Sequence, residues 1–188
     1  YVIIVPITGL FFGQRPGTGV WFGAVLALAG LYFINDAPGF RLAKGDLLVL
    51  VCAFFFAAHV LIIGRLSPRN PAVPLSIVQF LTCSALSLVT AMWRESLILQ
   101  DLIAAAVPIL YGGVGSVGIA YTLQVIGQKD APPAHAAIIL SLESVFALAG
   151  GFLILGEAVP GVKLVGCALM LAGMLSAQLQ RYVLGGRR

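Results

Sequence analysis

The sequence predicts an all-α, polytopic transmembrane helix bundle organised around an internal inverted repeat. Three observations carry that fold class. Hydrophobic residues make up 60% of the 188 positions and charged residues only 10%, with a mean hydropathy of +1.04. A soluble domain carries roughly 25% charged residues, so this chain cannot cover its surface against water. The apolar residues fall in long runs parted by short turns rich in Gly, Pro and charge. Lastly, the phrase Gly13-Gln14 … Gly23 … Leu26-Ala27-Leu28-Ala29-Gly30 returns without a gap as Gly156-Glu157 … Gly166 … Leu169-Met170-Leu171-Ala172-Gly173, at an offset of 143 positions.

A bilayer core about 30 Å thick needs about 20 mostly apolar residues per helix, and runs of that length exclude strands of about ten residues. Seven runs are visible. The first, Tyr1–Phe12, begins already apolar, shows no signal-peptide n-region and reads as the end of a span that starts before residue 1. Thr18–Ile34 follows the turn Gln14-Arg15-Pro16-Gly17 and stops at Asn35-Asp36-Ala37-Pro38-Gly39. Asp46–Gly64 ends at Arg65-Leu66-Ser67-Pro68-Arg69, and Val73–Trp93 ends at Arg94-Glu95. Leu102–Gln124 leads into Gln128-Lys129-Asp130. Pro133–Leu155 opens on Pro132-Pro133, which suits a helix first turn because the missing N–H is no loss there. Gly161–Gln180 is the last run.

Loop charge sets the orientation. Alternate loops collect Arg15, Arg65, Arg69, Lys129, Arg181, Arg187 and Arg188 on one side, and Arg41, Lys44, Arg94 and Lys163 on the other. The richer side, with the C-terminus, is therefore cytoplasmic. The Gly13 turn then lies on the cytoplasmic side and the Gly156 turn on the outer side, so the two copies are inverted, as in many secondary transporters. The period is five spans. Two complete copies need ten, which places three spans before Tyr1, makes residues 1–35 the last two spans of the first repeat and 46–180 the whole second repeat, and leaves 181–188 as a cytoplasmic basic tail. The basic residues stand singly between apolar runs, a distribution that excludes a nucleic-acid-binding stripe. Cys52, Cys83 and Cys167 lack metal-ligand spacing and read as small buried thiols.

The chain resembles the EamA-type permeases of the drug/metabolite transporter superfamily. The likeness is carried by Val5-Pro6 with Gln14-Arg15-Pro16 and Trp21 to Tyr32, then by Gly118-Ile119-Ala120-Tyr121-Thr122-Leu123-Gln124, Ser141-Leu142-Glu143-Ser144-Val145-Phe146-Ala147, Leu155-Gly156-Glu157 and Gly166 … Gly173. It covers nearly the whole chain and departs at Gly13-Gln14, where the first half lacks the acid of Gly156-Glu157. The resemblance implies a multi-pass permease of the cell (plasma or inner) membrane. Its two halves would rock around a central cavity and export a small metabolite, amino-acid-like compound or drug. It implies no cofactor, with protons as a candidate coupling ion and the lipid bilayer as surroundings. A homodimer stays open.

Five residues are assigned to the substrate path. Glu143 lies about ten residues into its run, where a carboxylate costs several kcal/mol unless it faces a cavity or partner; a structural, hydrogen-bonded carboxyl is the alternative. His59, within Phe54 to Val60, is the other ionisable group deep in a run, and is equally readable as a neutral histidine satisfied by a neighbouring helix. Tyr121 and Gln124 share a helical face with Gln128, and Gln79 joins them. Gln128 itself, like His135, is read as interfacial, and Glu157 as a cap or loop anchor. Gly19, Gly23, Gly30, Gly166 and Gly173 form small-residue stripes for close helix packing. Trp21, Tyr32, Trp93, Tyr111 and Tyr182 read as an interfacial aromatic belt.

Gly113-Val114-Gly115-Ser116-Val117-Gly118 matches GxGxxG but has no preceding strand, and Val114 spoils a GxSxG turn at Ser116. These glycines are read as admitting close packing or local bending, and no metal or nucleotide site is read anywhere. The rival readings are an intramembrane serine protease using Ser116 with His59 or His135, and a non-transporting scaffold or inactive fragment. On the ten-span reading, the 188-residue chain alone transports nothing.

Overall fold

The computed structural model describes residues 1–35, 44–95 and 98–185, with the side chains of Lys44 and of residues 181–185 excluded. The connector Asp36-Ala37-Pro38-Gly39, Arg41, Arg187 and Arg188 lie outside the described residues, as do the side chains of Arg181 and Tyr182. Every described element is a helix: α1 (Ile4–Phe11), α2 (Thr18–Asn35), α3 (Lys44–Leu66), a 3₁₀ turn (Ser67–Arg69), α4 (Ala72–Arg94), α5 (Leu99–Ala104), α6 (Ala106–Leu110), a π-helix (Tyr111–Tyr121), α7 (Thr122–Gly127), α8 (Pro133–Leu140), α9 (Glu143–Leu155) and α10 (Gly161–Gly185). Among the described residues, six helical stretches, Thr18–Asn35, Gly45–Arg69, Ala72–Arg94, Ala106–Gly127, Pro133–Leu155 and Gly161–Gln180, are long and apolar enough to cross a membrane. The run expected before Gly13 supplies only the eight-residue α1, too short for a span.

Large apolar side chains face outward, with Phe55 73%, Trp93 80% and Ile154 83% exposed, the inverse of a water-soluble fold. Outward hydroxyls are satisfied inside their own helix, as a lipid surrounding requires: Thr82 and Thr90 donate to the Val78 and Leu86 carbonyls, each at 2.8 Å. Cys52 and Cys83 correct the expectation of buried thiols. Both are exposed, because the outward face of a membrane helix is itself apolar. Tyr32 and Trp93 lie near helix ends, whereas Tyr111 opens the π-helix within its span.

The chain divides into two compact units. The first comprises Tyr1–Ile62 and Ala131–Arg188. In it, both copies of the repeated phrase turn on a left-handed glycine. α1 ends on Gly13 (φ +76°), where the Gln14 N–H reaches the Gly9 carbonyl at 2.9 Å and the Gly13 N–H the Leu10 carbonyl at 3.0 Å. This is the Schellman pattern that glycine's left-handed conformation permits. α9 ends on Gly156 (φ +68°), with the Glu157 N–H on the Gly151 carbonyl at 3.2 Å. The following helices begin at Thr18 and Gly161, again 143 positions apart.

α2 and α10 then pack antiparallel with their register exchanged. A Cβ at Gly23 would stand 2.5 Å from the Gly173 carbonyl oxygen, and one at Gly173 2.6 Å from that of Gly23. Gly30 and Gly166 repeat the arrangement at 2.5 and 2.6 Å. Gly23 thus faces the repeat mate of Gly30, Gly30 faces the repeat mate of Gly23, and the backbones touch where a methyl group has no room. Val20, Ala24 and Ala27 of α2, Ala177 of α10, and Ala134 and Ile138 of α8 bury the apolar seam beside this crossing. At its end, Gln180 acts as a cap delivered from another helix: its Oε1 accepts from the Gly19 N–H at 2.5 Å and its Nε2 donates to the Thr18 hydroxyl at 3.2 Å. A Gln180→Ala substitution should destabilise the full-length protein by about 0.5–2 kcal/mol, the range for losing a cap. Thermal unfolding in detergent reads this as a lowered midpoint, and an unchanged midpoint would show the clamp to be idle.

The second unit, Ile63–Asp130, contains the end of α3 and all elements through α7. The single run expected over Leu102–Gln124 is here divided among four helical pieces, α5, α6, the π-helix and α7. The first break falls at Ala105, because the Pro108 ring conflicts with the carbonyl of Ala104, four residues earlier. The second is the 11-residue π-helix, which coincides with Gly112, Gly113, Gly115 and Gly118. In a π turn each N–H bonds the carbonyl five residues back. A Cβ on Gly118 would sit 3.2 Å from such a carbonyl, that of Gly113. Cβ atoms at Gly112 and Gly113 would meet nothing within 4 Å among the described residues, so the bending expected of these glycines is seen here and close packing is not.

Candidate functional site

The five residues assigned to the path fall into two sets, one in each unit, and both sets adjoin a departure from α-helical winding. In the first unit, the span Pro133–Leu155 is broken at Ser141-Leu142. The backbone tightens there into 3₁₀ bonding, with the Leu142 N–H on Ile139 at 3.1 Å and the Val145 N–H on Leu142 at 2.9 Å. The Ser141 hydroxyl caps the break by donating to the Ile138 carbonyl at 2.7 Å. α9 restarts at Glu143, whose side chain is exposed. Leu142 and Val145 face Ile34 of α2 and Met170 of α10, while Leu140 packs with the cluster of Val5, Ala57, Val60, Leu61 and Ala137. Glu143 follows Leu140 by three residues, so it continues that second face one turn on.

His59 is half-buried on α3, beside the same cluster. The Phe56 ring lies 6.0 Å from the His59 ring, tilted by 37°, and the Tyr1 ring meets Phe56 edge-on at 4.7 Å. His135 is half-buried in the first turn of α8, and Pro133 stands at that helix's start as its fixed φ favours.

In the second unit, α4 packs against α7. Val125 of α7 is buried with Ile63 and Ala72, and Leu75 packs against them. Tyr121, Gln124, Val125 and Gln128 lie within one arc of about 100°, so the polar face of α7 borders this contact. Gln124 donates to Gln128 at 3.4 Å. Gln128 is the C-cap residue of α7, at the end of its span, and is buried at 2% exposure. Gln79 is half-buried on the α4 face that also carries Ala72 and Ser76. The structure therefore groups Gln79 with Tyr121 and Gln124 in one unit, and places His59 and Glu143 in the other.

Two residues escaped the sequence reading. The Ser67 and Ser76 hydroxyls, both in the second unit, are fully buried and reach no hydrogen-bond partner among the described residues. Ser76 stands three residues before Gln79 and so shares its face, a signal the helical period contains. A buried polar group left unmet costs about 1–3 kcal/mol, which marks this face as suited to a polar occupant. Ser116 sits exposed inside the π-helix, without the strand-turn-helix that a serine nucleophile requires. No group of three His, Cys, Asp or Glu able to hold a metal occurs among the described residues.

The geometry is that of a polytopic helical membrane protein with polar residues at irregular points of its spans. Comparison with known proteins agrees. Over 185 residues, 96% of the chain and 58% of the relative, it is 29% identical to an uncharacterized transporter of Archaeoglobus fulgidus. Over 165 residues, 86% of the chain and 55% of the relative, it is 31% identical to the uncharacterized transporter YwfM of Bacillus subtilis. The chain thus spans under three fifths of the length of these curated relatives. No solved structure matches it. The family model of the EamA-like transporters matches residues 43–177, from just before α3 into α10. The chain belongs to the EamA-like transporter family.

Proposed function

We propose that the chain is the closing part of a ten-span secondary transporter with two inverted five-span halves. Residues 1–35 end the first half, 46–180 form the second and 181–188 a cytoplasmic tail. It exports a small polar or amphipathic metabolite, amino-acid-like compound or drug by alternating access. The supporting observation is the exchanged-register crossing of α2 and α10 through Gly23, Gly173, Gly30 and Gly166. Two halves related by a pseudo-two-fold axis in the membrane plane bring equivalent helices together antiparallel, each residue facing the other's counterpart. Parallel repeats would not do so. The extra length of both relatives agrees with further spans in the whole protein.

In this reading His59, Gln79, Tyr121, Gln124 and Glu143 line the path. The amides and the phenol hydrogen-bond the solute, while Glu143 and His59 supply the ionisable groups that could exchange protons with it. The irregular winding beside Tyr121 and Glu143 belongs where backbone lines a cavity, since lipid-facing backbone must stay regular. The positive residues on the Arg15, Arg65 and Lys129 side put that side and the C-terminus in the cytoplasm.

Full-length protein in proteoliposomes, offered a panel of radiolabelled amino acids, amines and nucleobases, tests the reading. Flux of at least one solute above protein-free liposomes is expected, and Gln124→Leu should reduce it. Absence of flux for every solute would refute it.

A further inference from the structure

We propose that Ser76 is a solute-contacting residue of the second unit, and that the group of the solute received there is uncharged and hydrogen-bonding. The inference deepens the path reading above and rests on it. Ser76 is buried at 1% exposure, and its hydroxyl reaches no partner among the described residues. A partner within the helix is available to such a group. Thr82 and Thr90 of α4 each donate to the carbonyl four residues back, at 2.8 Å, and a serine in a helix can do the same. Those outward hydroxyls of α4 are thus closed on their own helix, while the inward hydroxyl of Ser76 is directed elsewhere. A buried polar atom in that state calls for a water or a ligand.

Ser76 lies beside the polar face of α7. Ala72 of α4 and Val125 of α7 are buried in one cluster. As consecutive membrane spans, α4 and the stretch ending in α7 run in opposite directions. Ser76, one turn along from Ala72, and Tyr121, one turn back from Val125, therefore lie on the same side of that contact. Gln79 continues the Ser76 face at three residues' spacing, and buried Val125 and Gln128 hold the phase of α7. Ser76, Gln79, Tyr121 and Gln124 are all uncharged groups that both donate and accept. Every Asp, Glu, Lys and Arg of residues 63–130 stands in a connector or in the first or last turn of a helix, and that stretch contains no histidine. A charged group brought among these four side chains would have no countercharge in the unit, and a buried charge without one costs far more than a buried neutral group. An uncharged group with both donors and acceptors, such as a carboxamide, leaves nothing unpaired.

The test uses full-length protein in which Cys83, exposed one turn beyond Gln79 on the same face, is the only cysteine kept. Its labelling by a water-soluble maleimide is followed with nicotinamide or benzamide present, and with nicotinate or benzamidinium, which keep the shape but carry charge. The two amides should slow labelling and the two ions should not. Ser76→Ala should raise the half-protecting amide concentration about three- to tenfold, as for one lost hydrogen bond. It should not lower the unfolding midpoint of the solute-free protein, because alanine removes a hydroxyl that has no partner there. Ser84→Ala, on the exposed side of α4, should change neither reading. Unchanged protection in Ser76→Ala would mean that its hydroxyl meets only water, and a lowered midpoint that it is structural; either overturns the proposal. Protection by nicotinate or benzamidinium as strong as by the amides would also overturn it. Absence of protection by all four overturns the proposal alone where the protein transports any solute, and together with the path reading where it transports none.

Discussion

Gly23→Ala and Gly166→Ala should each destabilise the folded protein by about 1–3 kcal/mol, the cost of overpacking a tight contact, and by equal amounts within the error of the measurement. The single added methyl at Gly23 would stand 2.5 Å from the Gly173 carbonyl oxygen, and at Gly166 2.6 Å from that of Gly30. Neither obstacle is the free end of a flexible side chain, so α2 and α10 must separate to admit it. In a membrane this matters more than in water, because helix association relies on close packing rather than on hydrophobic burial. Equality follows because the two positions are repeat mates in equivalent crossings. Gly45, whose Cβ would meet nothing within 4 Å among the described residues, is the control: alanine there should be neutral or stabilising by up to about 1 kcal/mol from helix propensity. Equilibrium unfolding in mixed lipid–detergent micelles measures all three. A Gly23→Ala variant as stable as Gly45→Ala would mean that the crossing does not hold the fold.

Glu143→Gln should abolish the response of transport to an imposed pH gradient while leaving downhill exchange of the solute in place. The amide keeps the size and hydrogen-bonding shape of the carboxyl but can neither carry charge nor exchange a proton. Glu143 opens α9 after the break at Ser141-Leu142, deep within a span, and its side chain is exposed rather than folded into the first unit's clusters. A carboxylate so placed costs several kcal/mol unless an aqueous path or a partner receives it. The readout is solute accumulation in proteoliposomes with and without the gradient. Gradient-driven accumulation equal to that of the unaltered protein would return Glu143 to a structural role.

The membrane helices were legible in the sequence because bilayer thickness sets their length, and the limits of Pro133–Leu155 and the start of Gly161–Gln180 needed no tertiary information. The paired glycine turns were equally legible, since a left-handed helix end calls for the residue that the repeat supplies twice. What lay hidden depends on winding and on distant partners. A run of glycines announces only permissiveness, so the sequence could not distinguish close packing from the π-helix over Tyr111–Tyr121. Gln180 grips Gly19 from 161 residues away, and no local pattern reveals such a cap. The thiols of Cys52 and Cys83 were misread because apolar context means burial in water but not in lipid. For the candidate path, residue type and helical phase pointed to Tyr121, Gln124 and Gln79, and the same phase contains Ser76, whereas the buried hydroxyl of Ser67 emerges only from packing.

Access to residue 143 from the two faces of the membrane tests the central claim most directly. In full-length protein lacking its other cysteines, Glu143→Cys is exposed to an impermeant thiol reagent in right-side-out and in inside-out vesicles. A path that opens alternately predicts labelling from both sides, each excluding further labelling from the other. Labelling from neither side, in protein that is folded and inserted, would contradict it.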